Sequence, residues 1–124
     1  MTGRHLGHCH VRGNASAGQR LGQSLRDEDV TGAEVLQQAG YGTALIGKWG
    51  LGAVGTSGEP ARQGFDLFFG YNCQAVAHNY CPTHLWSNNT RVALSNPAFP
   101  ARQKLPAGAD PNAPESYAKF SGTE

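Results

Sequence analysis

The stretch GYGTALIGKWGLG, residues 40–52, decides how this chain is read. Gly42, Gly47 and Lys48 satisfy the spacing G-x-x-x-x-G-K of a nucleotide phosphate loop. Such a loop needs Gly-rich backbone between its glycines, so that successive N–H groups wrap the phosphates. It also needs Ser or Thr after the lysine to hold Mg²⁺, a strand before it and a helix after it. Here the intervening residues are Thr43, Ala44, Leu45 and Ile46, Trp49 follows the lysine, and more glycines come next. The spacing is present without its chemistry. The continuous apolar run Ala44-Leu45-Ile46 reads instead as a short strand over residues 41–46, covered on both faces. Residues 47–52 then leave the strand end, with Lys48 at its carboxyl edge, where open α/β sheets bind ligands. An ammonium there is a point charge suited to a compact oxyanion. The plainer alternative is a solvated lysine in a turn.

Upstream, a helix is expected over Thr31–Ala39. Thr31 and Glu34 form a capping box, and Val30 and Val35 are placed to staple across it. Ala33, Leu36 and Ala39, widened by Val35, give a weak apolar face, and Gly40 sits where a left-handed C-cap belongs. A helix followed directly by a buried strand points to an α/β layer. Downstream, residues 53–64 read as loop. Phe65, Leu67, Phe68 and Phe69 form an aromatic cluster closed by Gly70. Residues 84–94 read as a β-hairpin with the polar turn Ser87-Asn88-Asn89-Thr90. From residue 97 on, five of the seven prolines appear, which marks a loop or linker. The organisation expected is therefore residues 1–95 as part of one domain and 96–124 as a proline-rich continuation.

The 124 residues carry a formal net charge of +1, with 39% of them hydrophobic and 17 glycines. So lean a chain makes a marginal core, and a partly disordered or associating protein is expected when it stands alone. No apolar run is long enough to span a membrane, and no secretory leader is read at the start. Residues 1–26 contain Arg4, Arg12, Arg20 and Arg26, three histidines and no acid. Composition alone leaves this segment open between a solvated basic loop and a surface for anionic partners such as phosphate, sulfate or nucleic acid.

Several motifs in order resemble one family. MTGR (residues 1–4), TGAEVLQQAG (31–40), GYGTALIGKWGLG (40–52), QGFDLFFGY (63–71) and AHNYCPTHLW (77–86) are similar to the sulfatases, and GYGTALIGKW resembles their second signature. The likeness is strongest to the arylsulfatase A-like branch. It implies a partial α/β sheet of the alkaline-phosphatase-like kind, with a flanking helix, a β-hairpin and long loops. It implies sulfuric ester hydrolysis, with Ca²⁺ and a formylglycine nucleophile made from a C-x-P-x-R motif. Residues 1–124 contain no such motif: Cys9-His10-Val11-Arg12 lacks the proline, and in Cys81-Pro82 the proline comes too early. The nucleophile and the acidic metal ligands of the family would fall outside this sequence, so this chain by itself is expected to be inactive.

Carried over by the same resemblance, Lys48 matches the lysine that contacts the sulfate oxygens, and His78 falls near the segment lining that pocket. Both are the expected catalytic and substrate-binding residues. The position two beyond the lysine, a histidine in many relatives, is Gly50 here. Arg4 is expected to be structural. The implied partner is a small-molecule sulfate ester or a sulfated glycan, with no nucleic acid and no membrane. The compartments implied for the family are periplasmic, extracellular or lysosomal. A second reading of the same residues is a non-catalytic anion-binding or interaction module, or a gene remnant.

Other clusters carry less. Cys73, His78, Cys81 and His84 have zinc-capable atoms, but their spacing matches no standard finger and Pro82 stiffens the middle. His5, His8 and His10 lie between glycines, as in a solvated loop. Asn14-Ala15-Ser16 and Asn88-Asn89-Thr90 are glycosylation sequons, read as coincidental. No metal site is therefore expected in this chain.

Overall fold

The computed structural model describes residues 1–13, 23–77, 82–96 and 107–110. A four-stranded mixed sheet forms its centre: β1 (Ala44–Lys48), β2 (Leu67–Tyr71), β3 (His84–Ser87) and β4 (Thr90–Ala93), in spatial order β1-β2-β3-β4. β1 and β2 run parallel, and the other two pairs are antiparallel. Helix α1 (Gly32–Gln38) precedes β1, and a single helical turn, α2 (Gln74–Ala77), follows β2. This is a partial α/β architecture with a flanking helix and a hairpin.

Helix α1 starts and stops where its chemistry requires. The Thr31 hydroxyl accepts from Glu34 N–H at 3.2 Å, and the Glu34 carboxylate accepts from Thr31 N–H at 2.7 Å, closing the capping box. The same hydroxyl donates to the Gln63 carbonyl at 2.7 Å, tying the helix entry to the 3₁₀ turn Pro60–Gln63. Gly40 ends the helix at φ +86°. The weak apolar face behaves differently from the expectation: Ala33 is buried, but Val35 and Leu36 remain exposed, as does Val30.

The strand expected at 41–46 starts three residues later and ends two later, and it is not buried on both faces. β1 is an edge strand, and its side chains alternate: Ala44, Ile46 and Lys48 point outward, while Leu45 and Gly47 are half-buried. Ile46 is 76% exposed, beside the exposed Phe69 with which it is in register. A continuous apolar run cannot report which of its faces is covered, because the covering element lies elsewhere in the chain. Gly47 and Lys48 thus complete β1 instead of leaving it.

The aromatic run resolves into β2. Phe68 points inward and is 1% exposed, while Leu67 and Phe69 point to the opposite face. Phe68 joins Leu25 and Trp49 in the core, with Val11, Leu45, Leu51, Phe65 and Trp86 packed against them. The loop read at 53–64 contains the 3₁₀ turn, entered through Pro60. The hairpin is as expected, one residue shifted at its ends, with Asn88 at φ +50° in the turn. Asn88 does more than turn the chain. Its carboxamide oxygen accepts from Phe68 N–H at 2.7 Å, and its own N–H donates to the Phe68 carbonyl at 2.7 Å. The sequon asparagine is therefore an anchor of β2.

The basic amino-terminal segment turns part of its charge inward. Asp29, 3% exposed, pairs with Arg26 at 3.2 Å and with Arg4 at 3.8 Å, and accepts from Arg26 N–H at 3.0 Å. Leu25 enters the core, and Leu25 N–H donates to the Leu51 carbonyl at 2.8 Å. Two of the guanidiniums are thus structural. Arg20, the first sequon and nearly all of the proline-rich tail lie outside the described residues. Among the described residues no helix is long and apolar enough to cross a membrane.

Two outcomes are expected. Gly70 sits at φ +144°, and a methyl built there would overlap the Gly47 carbonyl oxygen on β1. Gly70→Ala should destabilise the chain by about 2 kcal/mol. Gly42→Ala, where a methyl meets open space, should be close to neutral. Urea midpoints measured side by side decide this, and equal midpoints for the two variants would contradict the close β1–β2 approach. The second outcome concerns acid. The Arg26 guanidinium, followed by the Arg26 backbone N–H, holds the Asp29 carboxyl below its ordinary range. A carboxyl with a depressed folded pKa contributes stability that is present above its unfolded value and lost as pH falls through the folded one. Asp29→Asn should therefore flatten the loss of stability below about pH 4. An acid limb of unchanged slope would count against this pairing.

Candidate functional site

The carboxyl ends of the two parallel strands carry the candidate site. Lys48, last in β1, is in register with Tyr71, last in β2. The Lys48 side chain is exposed, and its ammonium makes no hydrogen bond or ion pair among the described residues. The chain beyond it is fixed. Trp49 N–H donates to the Tyr71 carbonyl at 2.8 Å, carrying the parallel ladder one step further. The buried Trp49 indole N–H donates to the Gly58 carbonyl at 2.8 Å, and its ring meets Phe65 edge-on at 5.7 Å. The lysine thus leaves a held backbone, with only its own side chain free to move.

Gly50 stands at φ +112°, and the Gln74 carboxamide occupies the space a Cβ would need there. The position that the resemblance to sulfatases matches with a histidine is therefore filled from the side by an amide of α2. His78, the other expected site residue, lies outside the described residues, as does Cys81. The zinc-capable set is thus represented by Cys73 and His84, which do border one cavity. No group of three or more His, Cys, Asp or Glu residues converges among the described residues.

That cavity, about 360 Å³, opens beside the strand ends. Tyr71, Asn72, Cys73, Val76, His84 and Trp86 line it. Asn72 Nδ2 is buried and has no hydrogen-bond partner among the described residues. His84 Nδ1 lies 3.1 Å from Arg91 Nη2 and 3.1 Å from Thr83 Oγ1. A guanidinium only donates, so Nδ1 accepts and the ring proton resides on Nε2. Burial, and then the Arg91 charge, hold the imidazole pKa below its ordinary value, which keeps the ring neutral near pH 7. Sequence reasoning missed this cavity. Its signal is the Gly70-Tyr71-Asn72-Cys73 run, where a second parallel strand ends as β1 does.

Comparison with known proteins now bears on these residues. No protein-family model matches the chain. The chain is 41% identical to arylsulfatase G of Mus musculus over 91 residues, covering 62% of this chain and 17% of that protein. It is 60% identical to arylsulfatase G of Homo sapiens over 42 residues, covering 34% and 8% respectively. With steryl-sulfatase of Mus musculus it shares 37% identity over 79 residues, covering 56% and 13%. The chain therefore spans a small part of the length of the curated relatives it matches. The chain is thus similar to one section of several differently named sulfatases, which agrees with the ordered motifs around Lys48 and supports reading it as a sulfatase segment.

Proposed function

We propose that the chain supplies the lysine-bearing wall of a sulfate ester hydrolase site. Lys48 contacts the sulfuryl oxygens, and His78 stands as the second contact. The observation that carries this reading is Lys48 itself. It is exposed at the carboxyl end of a parallel strand, without an internal partner among the described residues, on backbone held by Trp49. Cleavage of a sulfate ester spreads negative charge over the sulfuryl oxygens and the leaving oxygen. An ammonium reaching those oxygens from a held backbone stabilises that charge more in the transition state than in the ground state. An imidazole beside it can protonate the leaving oxygen. The partner on this reading is a small-molecule sulfate ester or a sulfated glycan.

The family's chemistry adds Ca²⁺ and a formylglycine nucleophile. The described acids do not fit a calcium site. Asp29 is paired with two arginines, Glu59 with Arg62 and Gly55 N–H, and Asp66 with Thr43 and Gln37. Calcium takes six to eight oxygens, and these carboxylates are spread over separate contacts. What the described residues contribute on this reading is the oxyanion contact.

The test is a sulfate titration of the full chain followed by NMR. Sodium sulfate should shift the Gly47, Lys48 and Trp49 amides, sodium chloride at equal ionic strength should not, and Lys48→Ala should abolish the effect. Sulfate shifts that survive Lys48→Ala, or no shifts at all, would overturn the assignment. With an aryl sulfate and Ca²⁺, no turnover is expected, because residues 1–124 contain no C-x-P-x-R sequence. Turnover abolished by Lys48→Ala would refute that second expectation.

A further inference from the structure

The chains leaving β1 and β2 are tied together one residue beyond Lys48, where Trp49 N–H donates to the Tyr71 carbonyl at 2.8 Å. From that tie, Gly50 is the next residue on one side, and Asn72-Cys73 lead to Gln74 on the other. The start of α2 is held in turn, because the Cys73 carbonyl accepts from Val76 N–H at 3.1 Å and from Ala77 N–H at 3.4 Å. The Gln74 carboxamide lies over Gly50. Its Oε1 takes the place of a Cβ there, and its Nε2 stands 3.6 Å from the same point. Glycine at φ +112° leaves that place open. Gln74 is half-buried, and its side chain makes no hydrogen bond among the described residues. Drawing a carboxamide partly out of water and ordering its side chain both cost free energy. Among the described residues no hydrogen bond offsets that cost, so the amide is open to an arriving acceptor.

We propose that the Gln74 carboxamide is a further donor to the oxyanion that Lys48 contacts, with an Nε2 N–H reaching one sulfuryl oxygen while the ammonium supplies the charge. The inference rests on the reading of Lys48 as the sulfate contact. Gly50 lies two residues beyond Lys48, at most about 7 Å along an extended chain. The four-carbon stem of lysine spans a comparable distance, so its ammonium can reach the space over Gly50 that the amide borders. The two groups do different things for an anion. The ammonium is a compact charge on a flexible stem, whereas the planar amide offers two N–H donors in set directions and so orients what the lysine attracts. A hydrogen bond to a charged acceptor is stronger than one between neutral groups, so a neutral amide suffices. A tetrahedral anion with separate oxygens can meet both groups at once. Chloride, a single atom, has no second oxygen to offer.

The experiment follows the Gln74 side-chain amide resonances of the ¹⁵N-labelled full chain during titration with inorganic sulfate. Sulfate should shift them over the same concentrations that shift the Gly47, Lys48 and Trp49 amides, and sodium chloride at equal ionic strength should not. Gln74→Met, which keeps the length and removes the donors, should weaken sulfate binding by about tenfold. Gln74→Glu, which also places a negative charge over Gly50, should weaken it further. Both variants should keep the sulfate-free positions of the Trp49 indole and the hairpin amides, which separates a lost contact from a lost fold. If sulfate moves the Lys48 amides but leaves the Gln74 side chain unmoved, or binds Gln74→Met as well as the parent, the assignment of Gln74 is wrong and the reading of Lys48 stands. If the Gln74 response survives Lys48→Ala, the two groups do not share one anion and the proposal also falls. If sulfate moves neither residue, both readings fall together.

Discussion

Trp49 is the residue through which the parts of this chain meet. Its backbone N–H extends the β1–β2 ladder to the Tyr71 carbonyl, and its indole N–H reaches back to the Gly58 carbonyl. Its ring lies in one cluster with Leu25 from the amino-terminal segment and Phe68 from β2. A buried indole satisfied at its nitrogen contributes both apolar area and direction. Without it the loop after Lys48 would lose its fixed course, the strand ends would separate from the segment that covers them, and the lysine would hang from mobile backbone. Local chemistry, core and candidate site therefore share a single support. Gly52, just beyond the indole, is necessary for a related reason: the chain passes too close to the Gly58 backbone there for a side chain.

Much of this is legible in the sequence, and the illegible part has a definite cause. Thr31 and Glu34 declare a helix start because capping is local, a matter of two side chains and the backbone between them. Asn88-Asn89 declares a turn for the same reason. The burial of β1 is not declared, because Ala44-Leu45-Ile46 says only that the strand is apolar. Whether Ile46 is covered depends on an element distant in sequence. β2 looks like a mere cluster because Phe65, Leu67, Phe68 and Phe69 conceal an alternation that appears only once Phe68 is seen inward. Lys48 stands out through its motif, whereas Asn72 and Trp86 come to border one cavity only because β2 and β3 pair at Gly70 and Trp86.

The distribution of charge follows similar logic. Composition presents residues 1–26 as a basic stretch, and the acids immediately after it, Asp27, Glu28 and Asp29, include its counter-charges. Arg26 bonds to Asp29 and Glu28, and Arg4 reaches the same buried carboxylate. A buried carboxylate persists only when paired, and these two guanidiniums are what pairs it. Lys48 differs from them in having no acid to hold it among the described residues, which is why it is the candidate contact for an oxyanion.

Gly50 and Gln74 occupy one space between them. Any side chain at position 50 would collide with the Gln74 carboxamide, and a carboxamide in that place requires position 50 to be bare. The two positions are therefore not independent. Replacing Gly50 with histidine makes the Gln74 carboxamide, the far end of a flexible side chain, swing aside, and it strains a backbone whose φ of +112° favours glycine. The left-handed backbone at position 50 is therefore the stricter demand of the two, and the glutamine lying over it is the part that can yield.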